Sequence, residues 1–232
     1  MQMFGASKVG AACAIGGAGL LLVGTFLHPM DADPNDLLAA FAEYAADRLW
    51  VASHLMQLAG VALMVVALLL LAQKLEFRKG FGVPRIAAAG AITSLALAAA
   101  LQAVDGIALK IMVDAWAEAP ALQKESAFRA AFAVRQVEIG FASMFCLSMG
   151  ITVTVFGVAL LGDDSYPKWF AGMPIVGGLL TAGAGIVIAY TRFSELAMAI
   201  NMLSNLILLL WMLVLGWFMW REVERPRGRS EV

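Results

Sequence analysis

Two histidines and a few carboxylates and guanidinium groups sit at the ends of long apolar blocks: His28, His54, Asp105, Arg135, Glu138, Arg192 and Glu195. Their types allow three kinds of chemistry. A histidine beside a carboxylate is an acid–base pair that works near neutral pH, and His54 with Asp105 or Glu138 has the right groups for one. Two imidazoles can ligate a haem or a divalent metal, and His28 and His54 are the only histidines, with Met30, Asp31 and Asp33 near the first. The same side chains can also form a binding surface for the polar part of a small molecule. No Ser, Cys or Lys nucleophile signature, Gly-rich phosphate loop or HExxH pattern accompanies them. Cys13 and Cys146 have no metal-type spacing and read as small packing residues inside apolar blocks.

Spacing adds faces and depth. Trp50, His54 and Gln57 lie on one helical stripe; Gln102 and Asp105 are i,i+3, as are Arg135 and Glu138; Asn201, Ser204 and Asn205 share a slightly deeper stripe. With about 20 residues per membrane crossing, Trp50, His54, Gln57, Gln102, Asp105, Arg135, Glu138, Tyr190, Arg192 and Glu195 all fall near one edge of the bilayer, and His28 ends its block at similar depth. Polar stripes on lipid-embedded helices turn inward because facing hydrocarbon is costly. The expectation is a polar cup, walled by Trp50 and Tyr190, with Asn201 and Asn205 deepest. The plainer alternative is a set of separately solvated helix ends, with Arg135–Glu138 a local ion pair and Arg192 and Glu195 solvating a tight turn.

The elements that must position these residues are membrane helices. The chain has 232 residues, 62% hydrophobic and 14% charged, against about 25% charge in ordinary soluble domains. Apolar blocks at 7–28, 49–72, 84–108, 136–161, 169–190 and 196–220 predict six spans, helical because a bilayer leaves backbone polar groups no other partner. Lys8 followed by an apolar stretch has some look of a secretory signal, but the stretch is long for one, and a retained first helix is expected. Pro29, the Gly80-Gly82-Pro84 cluster, Pro120, and Gly162 with Pro167 punctuate the connections. Ten Lys and Arg residues fall on one side and six on the other, with acidic residues split six against eleven, so both termini are expected in the cytoplasm.

The outer connections carry structure. Residues 34–48 read as an amphipathic helix capped by Asp33, with Leu37, Leu38, Phe41, Tyr44 and Ala45 on one face. The third and fourth spans continue outward around Pro120 as a helical hairpin, with Lys110–Asp114 and Glu125–Arg129 at i,i+4. Small residues Ala6, Gly10, Ala14 and Ala18, and Gly177, Thr181 and Gly185, predict close helix packing within the chain. One membrane domain over 1–220 and a basic cytoplasmic tail over 221–232 complete the expected plan. No basic stripe with interleaved aromatics occurs, so no nucleic-acid partner is expected.

The Leu27-His28-Pro29 and Asp33-Pro34-Asn35 turns, the run Asp47-Arg48-Leu49-Trp50 followed by His54, and Asp105-Gly106-Ile107-Ala108-Leu109-Lys110 with Asp114 and Trp116 together resemble a bacterial six-helix integral membrane family of unknown function. The resemblance implies a bacterial inner membrane and assigns no catalytic residue. The expected function is an extracytoplasmic-facing pocket for a small molecule, lipid head group or membrane partner protein. One alternative is a membrane enzyme, or a haem or metal protein, using His54 and His28 with Asp105 or Glu138. The other is a small-solute transporter, which needs a polar path from Asn205 to the cytoplasmic side.

Overall fold

The structure, a computed structural model, describes residues 2–79 and 82–224; side chains at 2–6, 78–79 and 222–224 are also outside the described set. Gly80, the packing role of Ala6, the side chains of Arg78 and Lys79, and the tail after Arg221 therefore lie outside the described residues. Within them the chain is all-helical: α1 (Gln2–Leu27), α2 (Leu37–Ala46), α3 (Trp50–Lys79), α4 (Val83–Gln102), a π-helical segment (Ala103–Leu109), α5 (Lys110–Glu118), α6 (Ala121–Leu161), α7 (Lys168–Thr191) and α8 (Glu195–Glu224). Six helical stretches are long and apolar enough to cross a membrane, with α4, the π segment and α5 forming one of them. At most 44% of the most apolar window of any span is buried inside the protein. The remaining apolar surface, including Phe26, Ile92, Leu179 and Leu206, is what a bilayer covers, and the protein is of the multi-pass membrane type.

The six spans form a closed ring. α1 packs on α3, α3 on α4, α4 on α6, α6 on α7, α7 on α8, and α8 returns to α1. Small residues let neighbours approach. A Cβ on Gly60 would come within 2.7 Å of Gly17 O and 2.6 Å of Leu21 N, so α1 and α3 cross nearly backbone to backbone. Gly150 plays the same part between α6 and α7, where a Cβ would meet Ala182 N and Gly178 O. Of the expected small residues, Gly10 faces Met219 and Gly177 faces Leu208, both on α8, while Gly185 faces the α6 backbone. The Gly17–Gly60 crossing falls outside the four-residue patterns read from the sequence. Toward the end of the ring where α3 finishes, Leu71, Leu75, Phe156, Leu160, Phe170 and Leu215 fill the interior.

At the other end α2 packs inward. Ala40, Phe41 and Tyr44 are buried with Leu109, Val113 and Ala131, against the rings of Trp116 and Phe128. Two details differ from the sequence reading. The helix begins at Leu37 and is capped by Asp36, whose carboxylate accepts from Ala39 N; Asp33 instead accepts from Asn35 N within the preceding turn. Leu38 is 62% exposed and leaves the expected apolar face. Lys110 Nζ donates to the carbonyls of Tyr44 and Ala45 and to Asp114, satisfying the end of α2. At 41 residues, α6 is about 61 Å long, twice the roughly 30 Å hydrocarbon core.

Candidate functional site

The site begins where α1 ends. The loop after His28 is held by Glu43, whose carboxylate accepts from the backbone N–H groups of Asp31 and Ala32. This brings the His28 ring to 4.9 Å from His54 and 4.8 Å from Trp50, centroid to centroid. Trp50 lies behind both rings, 4.6 Å from His54 and 4.4 Å from Tyr44, and is 1% exposed. Its indole Nε1 donates to the main-chain carbonyl of Asp105 at 3.1 Å.

Asp105 sits in the π segment, facing His54 on α3. The wider turn presses Gly106 against α3: a Cβ there would lie 2.6 Å from His54 Cβ and 3.0 Å from its Cγ. Such bulges recur at functional sites, where they re-aim one side chain inside a continuing helix. His54 Nε2 stands 3.1 Å from Asp105 Oδ2, while its Nδ1 is 2.7 Å from the Trp50 carbonyl. A carbonyl only accepts, so Nδ1 carries the proton. His28 repeats the arrangement, with Nδ1 2.7 Å from the Pro29 carbonyl. Burial, with His54 beside it, pushes the His28 imidazole below its ordinary value of 6.5, which favours the neutral ring.

A buried ion pair completes this layer. Arg135 Nη1 donates to Glu138 Oε2 at 2.6 Å, with the two side chains 5% and 3% exposed. The guanidinium lies 4.9 Å from the centre of the Phe193 ring and 5.6 Å from that of Tyr44. Burial pushes the Tyr44 phenol up to about 12, against the opposing pull of Arg135.

Inside the ring lies a cavity of about 380 Å³ lined by residues of all six spans. His28, Gln57, Gln102, Asp105, Glu138, Asn201 and Asn205 reach it, with Thr25 and Thr181; the rest of the wall is apolar, down to Val65, Leu68, Val153 and Met212. Gln102 donates to Gln57 across the wall. Three buried polar atoms on lining residues have no protein partner: Gln102 Oε1, Asp105 Oδ1 and Trp211 Nε1.

The residues expected at one depth thus divide. His54 and Asp105 pair directly, with His28 and Trp50 against them, and Arg135 pairs with Glu138. Gln57, Gln102, Asn201 and Asn205 face the cavity, whereas Trp50 backs the histidines instead of walling the pocket. Tyr190 is 86% exposed, Arg192 and Glu195 are exposed, and none of the three reaches the cavity. Arg192 ends α7 with φ 58°, so the chain turns sharply there and Phe193 points inward in its place. Tyr44, Gly106 and Phe193 escaped the sequence reading. Tyr44 read as one more apolar-face residue, and Phe193 lay hidden in a charged turn.

Two histidines whose rings nearly touch cannot sandwich a haem, because the macrocycle needs the space between its two axial ligands. One donor atom from each of His28, His54 and Asp105 lies within 4.8 Å of the others, a grouping of the size that holds a metal ion. No protein-family model, curated protein or solved structure matches the chain.

Proposed function

We propose that this is a membrane protein that binds an amphiphilic small molecule inside its helical ring. The apolar body of the molecule lies between α3, α6 and α8, and its polar head lies at the layer of His28, Asp105 and Glu138. The observation that carries this reading is the cavity, apolar along most of its wall, with His28, Gln57, Gln102, Asp105 and Glu138 gathered toward one end. Binding sites for small molecules have this make-up, with a few polar groups fixing the orientation of an otherwise apolar contact. The excess of Lys and Arg at the opposite end supports an orientation with the polar layer on the extracytoplasmic side of a bacterial inner membrane.

Binding is favoured over transport by where the polarity ends. Below Asn205 the lining residues on α8 are Leu208, Leu209, Trp211 and Met212, and beyond them Leu71, Leu75, Phe156 and Leu215 are buried. Along that stretch the α8 lining is apolar but for the Trp211 indole, too little polarity to carry an ion or polar solute.

The test is native mass spectrometry of the full chain in detergent, with dodecanol, dodecanoic acid and dodecyltrimethylammonium as probes. Wild-type protein is expected to retain at least one of them at one equivalent. Ala142→Trp, which fills the cavity from α6, is expected to lose it while keeping its helical circular dichroism. Retention of the probe by that variant, or no retention of any probe by the wild type, overturns the reading.

A further inference from the structure

We propose that His28, His54 and Asp105 form a binding site for one divalent transition-metal ion at the polar end of the cavity. The geometry of the two imidazoles carries the inference. Each ring donates its Nδ1–H to a main-chain carbonyl, His54 to Trp50 and His28 to Pro29. Metal-ligating histidines are commonly oriented in this way: the outer nitrogen is anchored on a carbonyl, which fixes the tautomer, and the ion takes the Nε2 side, at His54 displacing the proton shared with Asp105 Oδ2. Both anchors are local to the chain, at one and four residues' separation, so the orientation of each ring is held independently of an ion.

Asp105 supplies the third ligand and the negative charge. Its Oδ2 is 3.1 Å from His54 Nε2. Two ligands on one ion, each about 2.0–2.1 Å from it, stand about 3.0–3.4 Å apart, so this pair is already spaced as one edge of a coordination polyhedron. The third donor, within 4.8 Å of both, needs a side-chain adjustment of about 1–2 Å to reach the same spacing. Asp105 Oδ1 is buried without a hydrogen-bond partner, so the carboxylate is not consumed by other bonds. Trp50 fixes the carbonyl of Asp105 and packs on both imidazoles, and Gly106 gives the π segment the clearance to approach His54.

The donor set indicates the class of ion. Two imidazoles and one carboxylate suit Zn²⁺, Fe²⁺, Mn²⁺ or Co²⁺, whereas Mg²⁺ and Ca²⁺ prefer oxygen ligands throughout. Three protein ligands leave at least one coordination position open. His28 and Asp105 both line the cavity, so that position faces the head of the occupant. This last statement rests on the amphiphile reading; the ion itself needs only the three side chains.

The test uses full-length protein in detergent, stripped with a chelator and titrated with Co²⁺. Visible absorption reports coordination geometry, and Zn²⁺ competition reports affinity. Wild-type protein is expected to bind one equivalent. His28→Gln and Asp105→Asn are each expected to weaken binding at least 100-fold, with unchanged helical circular dichroism. Asp105→Asn retains the main-chain carbonyl that Trp50 uses, so it separates loss of the ligand from loss of the fold. Absence of a stoichiometric site in folded wild-type protein overturns the proposal, as does binding that neither substitution weakens. Metal binding without retention of an alkyl probe refutes the amphiphile reading alone. Probe retention without metal refutes the metal site alone.

Discussion

The Arg135–Glu138 pair offers a sharp test of how this layer is held together. Both side chains are almost fully buried, and the bond between them is short. Removing one member of such a pair leaves a charge in a poorly solvated place, at about 3–5 kcal/mol; replacing both with apolar residues of similar size is near neutral or stabilising. The surroundings make the two single changes unequal. Arg135→Met leaves Glu138 close enough to Asp105 to interact through charge with no cation beside it, and also uncovers Tyr44 and Phe193. Its cost is expected at the upper end, about 4–5 kcal/mol. Glu138→Gln leaves Arg135 with a neutral hydrogen-bond acceptor and with the charge of Asp105 still in reach, which limits the loss to about 1.5–3 kcal/mol. The double variant Arg135→Met/Glu138→Leu is expected within about 1 kcal/mol of wild type, or above it.

The assay is unfolding in mixed micelles with increasing dodecyl sulfate, followed by far-ultraviolet circular dichroism and by tryptophan fluorescence. Coincident transitions establish that one free energy can be assigned to each variant. The decisive quantity is the interaction energy of the cycle. If the double variant is destabilised by the sum of the two singles, the residues act independently and the buried pair does not exist as described. If Arg135→Met costs less than about 1 kcal/mol, the Glu138 carboxyl left behind finds water, another partner or a proton, and the pair is not the buried, mutually dependent charge pair described.

Three further outcomes follow from the packing. Gly106→Ala places a methyl group 2.6 Å from His54 Cβ and is expected to cost about 1–3 kcal/mol despite the helix propensity gained; wild-type thermal stability would refute the close contact. Gly60→Ala sets its Cβ against the α1 backbone at Leu21 N and Gly17 O, so α1 and α3 must separate and the melting temperature falls, whereas Gly16→Ala meets nothing within 4 Å and is neutral or stabilising by up to about 1 kcal/mol. Equal melting temperatures for the two variants would contradict the crossing. For Tyr44, whose phenol is raised to about 12 from 10.0, the folded state holds its proton longer than the unfolded state. Its contribution to stability is therefore complete below pH 10 and is lost as the pH rises toward 12. Tyr44→Phe should remove that part of the alkaline loss, and an unchanged alkaline profile in the variant counts against the buried phenol.

The spans were legible in the sequence because lipid imposes one strong rule, and long apolar runs obey it. Pairs within a helix were legible for a similar reason: Lys110–Asp114, Glu125–Arg129 and Arg135–Glu138 follow from spacing alone, and all three form. Contacts between helices needed the ring. His54 could be placed at the depth of Asp105, but its pairing with Asp105 and not Glu138 is a contact between helices, made from the π segment. Nothing in Ala103-Val104-Asp105-Gly106 announces an i→i+5 turn, apart from a glycine that also reads as ordinary helix packing. Tyr190, Arg192 and Glu195 share the depth of the cluster yet face away from it, because depth constrains one coordinate and helix rotation another. The sharp turn at Arg192 resets that rotation, and a helical-face count does not cross it.

Stability alone gives little reason for this layer. Apolar residues of matching volume would replace the Arg135–Glu138 pair without loss, and the opposite end of the ring is packed with such residues, Leu71, Phe156, Leu160 and Leu215 among them. A chain that fills one end this way has no structural need for two histidines, two carboxylates and a guanidinium at the other. The supporting parts point the same way. A π segment, a glycine without which His54 would clash, a tryptophan bonded to a backbone carbonyl and a carboxylate holding the His28 loop all act to place His28, His54 and Asp105. Each of them constrains orientation more than it adds apolar burial. Orientation has value where something must be held in a particular geometry. The cavity beside these side chains, with most of its polar lining gathered at this end, is where that something would sit.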